Sequence, residues 1–188
     1  MAPGQHVDSR PLEVPSAFVA RWIHRLSSDG HKSRSALDLG IGRGRHAWAL
    51  AQAGFTTFGV DRHIESLRAA RLEANRRHLT LRLWAMDLEY GVLPTAHFDL
   101  LVCTRYLQRD LFTALRNAIR PGGVVLYETF TVLQLQHNGG PRSRNHLLEP
   151  FELREAFAGW HELEYEEVDR PEAVARLAAR KPDSTRDV

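Results

Sequence analysis

The sequence has little cysteine and lacks any long hydrophobic run. Its single cysteine, Cys103, excludes an internal disulfide and any zinc site built from several thiolates. No segment approaches the ~20 apolar residues that a membrane helix needs, and residues 1–15 do not resemble a signal peptide. We therefore expect no membrane contact and a cytoplasmic location.

An excess of charge of one sign is also lacking, because the formal net charge is only +2 over 188 residues. Arginines cluster between Arg68 and Arg77, but Glu65 and Glu73 interleave with them, as is typical of a solvated helix face. A nucleic-acid partner is therefore not expected. The ten histidines show no metal-binding spacing such as H-E-x-x-H, and we predict no metal site.

What is present is an alternation of short apolar strands and amphipathic helices. Length and composition suit one domain, placed at 13–182 between flexible tails at 1–12 and 183–188. The alternation predicts an α/β fold with a single doubly wound, mostly parallel sheet and helices on both faces. Two extended stretches, at about 162–168 and 173–180, are separated by four residues and predict an antiparallel hairpin at the sheet edge.

The individual elements follow from hydrophobic periodicity and from start and stop signals. The first predicted helix follows Ser16, a suitable N-cap, and Gly54 ends the second helix. The later helices are predicted at 64–77, 109–119 and 151–158. The strands before the hairpin are predicted at 35–39, 55–61, 79–85, 98–103 and 124–129.

The densest signal is the run of residues 38–44, Asp-Leu-Gly-Ile-Gly-Arg-Gly, between an apolar strand and a helix. Its three glycines let the backbone turn tightly and approach a ligand that meets the first amides of the helix. Asp61 ends the second strand, where a carboxylate can accept hydrogen bonds from both hydroxyls of a ribose. The pattern predicts a nucleotide-type ligand at this edge of the sheet.

The same run resembles motif I of class I S-adenosylmethionine-dependent methyltransferases, and Asp61 falls at the ribose-binding acid of that family. Asp87 matches the position beside the adenine, and residues 120–123, Arg-Pro-Gly-Gly, match the turn before strand five. Segments 42–46, 106–112, 127–130 and 145–148 are similar to the small tellurite-resistance (TehB-like) branch. The resemblance implies a seven-stranded, Rossmann-like sheet in the order 3-2-1-4-5-7-6, with the last strand antiparallel.

The resemblance also implies S-adenosyl-L-methionine as the cofactor and in-line methyl transfer to a small-molecule acceptor. The residues expected at the cofactor are Asp38, Gly40, Gly42, Gly44, Asp61, Met86, Asp87 and Cys103. The Asn/Asp-Pro-Pro-Tyr motif of amide and adenine methyltransferases is absent, since residues 103–106 read Cys-Thr-Arg-Tyr. This departure argues against DNA adenine and amide acceptors. We expect a monomer or a weak homodimer.

Methyl transfer from a sulfonium requires alignment more than a catalytic triad, and a general base only if the acceptor is protonated. The acceptor is expected over the carboxyl ends of strands four and five. Tyr106 and Glu128 are the catalytic candidates there. The ring face of Tyr106 suits a cationic sulfonium, and Glu128 is either a base or a structural carboxylate.

A polar segment at 131–149 follows strand five and is long enough to suggest a substrate lid. Its Arg142, Arg144 and His146, together with Arg105, are the expected contacts to an anionic or strongly polar acceptor. At the start of the second helix, Arg45 and His46 either reach a ligand or stay solvated.

Two other functional classes remain open from the sequence. Gly42, Gly44 and Ala47 also satisfy the dinucleotide pattern G-x-G-x-x-G/A, which is compatible with an NAD(P)-binding oxidoreductase. That pattern gives no role to Asp38 or Gly40. Because no catalytic signature is evident, a non-catalytic regulatory module that binds S-adenosylmethionine is the other alternative.

Overall fold

The computed structural model describes residues 14–27 and 34–183. The tail predicted at 1–12 lies outside these residues, as does all of the C-terminal tail beyond Asp183.

A seven-stranded sheet organises the described residues, in the order β3-β2-β1-β4-β5-β7-β6. Strands β1 to β5 run parallel, whereas β7 is antiparallel to both of its neighbours, β5 and β6. The implied strand order and the predicted edge hairpin are therefore confirmed. The strands are β1 (Ser35–Leu39), β2 (Thr56–Asp61), β3 (Leu81–Ala85), β4 (Phe98–Thr104), β5 (Ile119–Phe130), β6 (His161–Val168) and β7 (Val174–Arg180).

Five α-helices flank the sheet in the described part of the chain, and two of their ends show the capping that the sequence predicts. The helices are α1 (Ala17–Ser27), α2 (Arg45–Gln52), α3 (Ile64–Arg76), α4 (Phe112–Ala118) and α5 (Glu152–Ala156). The Ser16 hydroxyl accepts a hydrogen bond from the Val19 amide at 3.1 Å, as an N-cap does. Gly54 has a φ of +89° directly after α2, which confirms its predicted role at the helix end.

The segment at 120–123 lies inside β5 and not in a turn before it, so the predicted start of this strand at 124 was wrong. Phe98 of β4 pairs with Ile119 of β5, but Leu100 already pairs with Val124. Residues 120–123 therefore bulge out of the ladder. A proline, which has no N–H to donate, and a glycine at a φ of +74° suit such a bulge.

Helices α4 and α5 are shorter than the sequence periodicity predicts. A 3-10 turn, Arg109–Leu111, replaces the first turn of the helix expected at 109–119. Helix α5 starts after Phe151, which adopts a left-handed φ of +63°. Helix α5 also ends at Ala156, two residues before its predicted end.

Apolar side chains cover both faces of the sheet. On one face α1 buries Phe18, Trp22 and Ile23 against β4 and β5. On the other face a larger cluster joins the central strands to α4 and α5. Burial of each large side chain contributes roughly 1.5–3 kcal/mol, so the central strands form a rigid base for the loops at their carboxyl ends.

Strand β6 closes the sheet at one edge and carries four glutamates. Glu162 pairs with Arg154 of α5, Glu164 accepts a hydrogen bond from the Trp22 indole, and Glu166 pairs with Arg176 of β7. These contacts tie the edge strand to a helix on each face and to its neighbour in the sheet.

Candidate functional site

An open cleft of about 750 Å³ lies across the carboxyl ends of the parallel strands. Its walls come from the segments that follow β1, β2, β3, β4 and β5: Gly40, 61–63, 86–89, 104–110, Phe130, Pro141, Asn145 and His146. Open α/β sheets bind ligands at this edge, where the connections from neighbouring strands β1 and β4 diverge. The volume falls within the range of ~300–1,000 Å³ that is typical of small-molecule sites.

The glycine-rich turn has three left-handed residues, with φ of +65° at Gly40, +54° at Gly42 and +94° at Gly44. A Cβ at Gly44 would lie 2.9 Å from the Trp48 indole nitrogen, so this glycine is required for packing. A Cβ at Gly42 would meet nothing within 4 Å, and one at Gly40 would meet only the Tyr106 side chain at 3.8 Å. The first part of the turn therefore leaves room for a ligand.

Asp61 is fixed by two backbone amides at the start of the cleft. Its Oδ2 accepts from the Gly42 N–H and its Oδ1 from the His63 N–H, both at 2.9 Å. Each carboxylate oxygen can accept a further hydrogen bond, so the acid is already oriented and still able to bind a diol. Met86 and Asp87 line the cleft beside it, after β3.

Asp38 does not line the cleft, because its carboxyl is directed into the first turn of α2. The side chain is buried, and Oδ2 accepts from the Ala47 amide at 3.0 Å. Desolvation by burial raises its pKa to about 8. The Asp38 carboxyl therefore links β1 to α2. Asp38 was predicted at the cofactor, but it is not among the residues that line the cleft.

We expect the stability difference between wild type and Asp38→Asn to depend on pH. The folded-state pKa lies above the unfolded one, so the unfolded protein binds fewer protons between about pH 4 and pH 8 and the wild type loses stability as pH rises through this range. Asparagine keeps an acceptor for Ala47 and does not titrate. Urea unfolding should show that the free energy of unfolding of Asp38→Asn, relative to that of the wild type, is higher at pH 8 than at pH 5. The same difference at both pH values would contradict the raised pKa of Asp38.

Tyr106 lines the cleft, whereas Cys103 lies beneath it. The Tyr106 hydroxyl donates to Gln108 Oε1 at 2.6 Å, and partial burial raises its pKa to about 12. It therefore stays protonated and presents its ring, not a base, to the cleft. Cys103 is completely buried, and desolvation raises the pKa of its thiol to about 12, so it is a packing residue.

Glu128 has a structural partner and is not among the residues that line the cleft. Its Oε2 accepts from Arg176 Nε at 2.6 Å, and Arg176 also pairs with Glu166 at 2.8 Å. Only 6% of Glu128 is exposed. Of the two roles that the sequence left open, this geometry supports the structural carboxylate, which joins β5, β7 and β6.

The segment at 131–149 forms one wall of the cleft, but only part of it faces inward. Of the three expected substrate contacts in this segment, His146 lines the cleft. Arg142 instead donates to the Leu135 and His137 carbonyls, and Arg144 pairs with Glu149 at 3.0 Å. Neither arginine is among the residues that line the cleft, in contrast to the prediction.

Arg105 lines the cleft just after the end of β4. It has a left-handed φ of +55° and pairs with Glu172 at 2.7 Å. Its guanidinium also lies 5.5 Å from the centre of the Phe130 ring. The ion pair and the ring hold this cation at the mouth of the site.

Arg109 is a site residue that the sequence did not reveal. Its guanidinium binds both carboxylate oxygens of Glu152, at 2.6 and 2.8 Å. The same side chain donates to the carbonyls of Asn145 and Leu147, at 3.1 and 2.9 Å. These carbonyls flank His146, so Arg109 fixes the backbone on both sides of the cleft histidine.

Neither metal ligands nor membrane spans are found in the part of the chain that the structure describes. No group of three or more His, Cys, Asp or Glu side chains there is placed to hold a metal ion. No described helix has the length and apolar character needed to cross a membrane.

Comparisons with known proteins agree with this geometry. A family described as a methyltransferase domain matches residues 36–123, which include the glycine turn and Asp61. A ubiquinone biosynthesis O-methyltransferase from Idiomarina loihiensis is 26% identical over an alignment 151 residues long, and the alignment covers 66% of this chain and 62% of that protein. The chain thus spans less than two thirds of the length of this relative.

Two solved structures are similar in fold. TehB from Haemophilus influenzae has a TM-score of 0.69 at 19% identity, covering 86% of this chain and 62% of that one. Phosphoethanolamine N-methyltransferase 2 from Haemonchus contortus, solved in complex with S-adenosyl-L-methionine, has a TM-score of 0.70 at 16% identity. The match covers 87% of this chain and 52% of that one. At such identities the likeness concerns the fold.

The strand order, the glycine turn and the domain match over residues 36–123 agree with the resemblance to class I S-adenosylmethionine-dependent methyltransferases. S-adenosyl-L-methionine is the cofactor of this class. The antiparallel β7 differs from the six-stranded 3-2-1-4-5-6 sheet of dinucleotide-binding dehydrogenases, so the NAD(P) alternative is not supported.

Proposed function

We propose that the chain transfers a methyl group from S-adenosylmethionine to a hydroxyl oxygen of a small aromatic molecule. The observation that carries the proposal is the continuity of the cleft. Gly40 and Asp61 lie in the same cavity as Tyr106, Phe130 and His146. One end is thus suited to a nucleoside, and the other offers aromatic surface and an imidazole. The O-methyltransferase relative supports oxygen as the acceptor atom.

The residues at the nucleoside end fit the cofactor. S-adenosylmethionine supplies a methyl group already activated by a positively charged sulfur. Asp61, held by the Gly42 and His63 amides, would accept hydrogen bonds from the ribose hydroxyls. Met86 and Asp87 would border the adenine after β3, and the open backbone at Gly40 would allow close approach.

At the other end the chain has to orient the acceptor, exclude water and remove a proton. Tyr106 and Phe130 provide apolar walls for an aromatic ring. Histidine is the side chain that most often serves as a general base, so His146 is the base that we assign to the acceptor hydroxyl. Arg109 acts as a positioning residue, because it holds the carbonyls on both sides of His146.

Incubation of the full chain with S-adenosylmethionine and a panel of phenols and catechols tests the proposal. We expect adenosylhomocysteine to form together with a methyl ether, and aliphatic amines to be inactive. N-methylated products from the amines would overturn the oxygen assignment. Tight cofactor binding without turnover on any acceptor would support the non-catalytic module instead.

We expect Asp61→Ala to weaken adenosylhomocysteine binding at least tenfold, because hydrogen bonds to a charged acceptor contribute about 1.5–3 kcal/mol each. Isothermal titration calorimetry measures the loss directly. Asp87→Ala is the matched comparison, since Asp87 lines the same cleft and its carboxylate accepts from only one amide, that of Glu89. A larger loss of affinity in Asp87→Ala than in Asp61→Ala would mean that Asp87, and not Asp61, binds the ribose.

A further inference from the structure

A buried histidine that has no part in the proposed reaction lies directly behind the cleft. His46 is only 2% exposed, in the first turn of α2. Its Nε2 lies 3.3 Å from the Ser16 backbone nitrogen, and its Nδ1 lies 3.3 Å from Thr104 Oγ1. Thr104 ends β4 and lines the cleft. The imidazole therefore connects the start of α1 to the wall of the site.

The direction of these hydrogen bonds follows from their fixed member. The Ser16 amide can only donate, so His46 Nε2 has to accept. Burial, with Arg45 and Arg105 nearby, lowers the His46 pKa to about 3, which keeps the ring neutral. In a neutral imidazole whose Nε2 accepts, Nδ1 carries the hydrogen and donates it to Thr104 Oγ1.

This assignment determines what Thr104 can do. A hydroxyl that accepts from His46 still has its own hydrogen to donate. Among the described residues His46 is the partner that the structure gives to this hydroxyl. The remaining donor is therefore available to a group inside the cleft.

We propose that Thr104, oriented by His46, donates a hydrogen bond to the carboxylate of the cofactor's amino-acid half. In the sheet, β1 lies next to β2 and β4 lies next to β1. A ligand whose ribose is held by Asp61 after β2, with its adenine toward β3, extends past Gly40 toward the end of β4. The amino-acid half has a carboxylate, an ammonium and a sulfonium, and only the carboxylate accepts hydrogen bonds.

The inference rests on the proposed binding of S-adenosylmethionine, and two ligands test it without any methyl acceptor. Adenosylhomocysteine carries the carboxylate, whereas 5′-methylthioadenosine lacks the whole amino-acid part. By calorimetry, Thr104→Val should weaken adenosylhomocysteine about tenfold or more and leave methylthioadenosine within about twofold, because a single bond to a charged group is lost. Thr104→Ser keeps the hydroxyl and should bind both ligands as the wild type does.

Two substitutions at His46 separate orientation from packing. His46→Asn places an amide donor near the position of Nδ1, whereas His46→Gln extends toward the position of Nε2. We expect both to lower the melting temperature, because His46 is buried, but only His46→Gln to lose adenosylhomocysteine affinity selectively. If neither His46 variant folds, the comparison of Thr104→Val with Thr104→Ser still tests whether Thr104 binds the cofactor carboxylate.

The outcomes are distinguishable. Equal losses for both ligands in Thr104→Val would mean that Thr104 only shapes the cleft, and no loss for either would mean that it does not meet the cofactor; each overturns the inference while the proposed function stands. Failure of the wild type to bind adenosylhomocysteine would overturn the proposed function as well.

Discussion

Replacement of Gly40 by valine is expected to abolish cofactor binding and leave the protein folded. A Cβ at this position meets only the Tyr106 side chain, at an ordinary contact distance of 3.8 Å, so the core is not disturbed. The added branches would occupy the cleft between the glycine turn and Tyr106, where the cofactor has to pass. Calorimetry with adenosylhomocysteine should show no measurable heat of binding.

Gly54→Val is the matched control for this substitution. Gly54 also has a left-handed φ, +89°, and a Cβ there would meet nothing within 4 Å, but it lies at the end of α2 and outside the cleft lining. A side chain in this backbone region costs roughly 1–2 kcal/mol at either site. Both variants should therefore lose similar stability, and retained binding in Gly40→Val would show that the cofactor lies elsewhere.

Replacement of His146 by alanine is expected to lower kcat by about 10²–10⁴-fold, the contribution of a general base, once an acceptor is in hand. Adenosylhomocysteine affinity should not change, because the residue lies on the wall formed after β5 and not at the glycine turn. A kcat within a few fold of wild type would mean that the acceptor loses its proton to another group or arrives already ionised.

Arg144→Ala serves as the control for His146→Ala, and Arg109→Lys tests how the histidine is held. Arg144 belongs to the same 3-10 turn but pairs with Glu149 outside the cleft, so its loss should leave kcat unchanged. Arg109 makes four hydrogen bonds from three nitrogens, whereas a lysine has three hydrogens on a single nitrogen and cannot replace all of them. Arg109→Lys should therefore lower kcat without affecting the cofactor.

The strand order followed from the family resemblance, whereas the cofactor end of the site was predictable because its determinants are local in sequence. Residues 35–44 contain a complete strand, a turn and the start of a helix, and the next strand delivers Asp61 to the same edge. The bulge at 120–123 was mistaken for a turn because proline and glycine mark both structures. Only the register with β4 distinguishes them.

The acceptor end was harder to predict because its contacts join distant parts of the chain. No sequence spacing links Arg109 to Glu152, or His46 to Thr104. Arg142 and Arg144 have the right chemistry for an anion, but local carbonyls and Glu149 engage them first. His46 was considered as a ligand contact or a solvated residue, and its burial follows from α1 packing over it, which the pattern of either helix alone does not reveal.

The acidic edge strand has a consequence for self-association. Among the described strands, none pairs with the outer edge of β6, and such an edge can recruit the same strand of another copy. A second copy of β6 would have to pack against a strand that carries Glu162, Glu164, Glu166 and Glu167, three of which already have arginine partners. Charged side chains on an edge strand have to be displaced or paired again before another strand can add to it, so this edge opposes aggregation through the sheet.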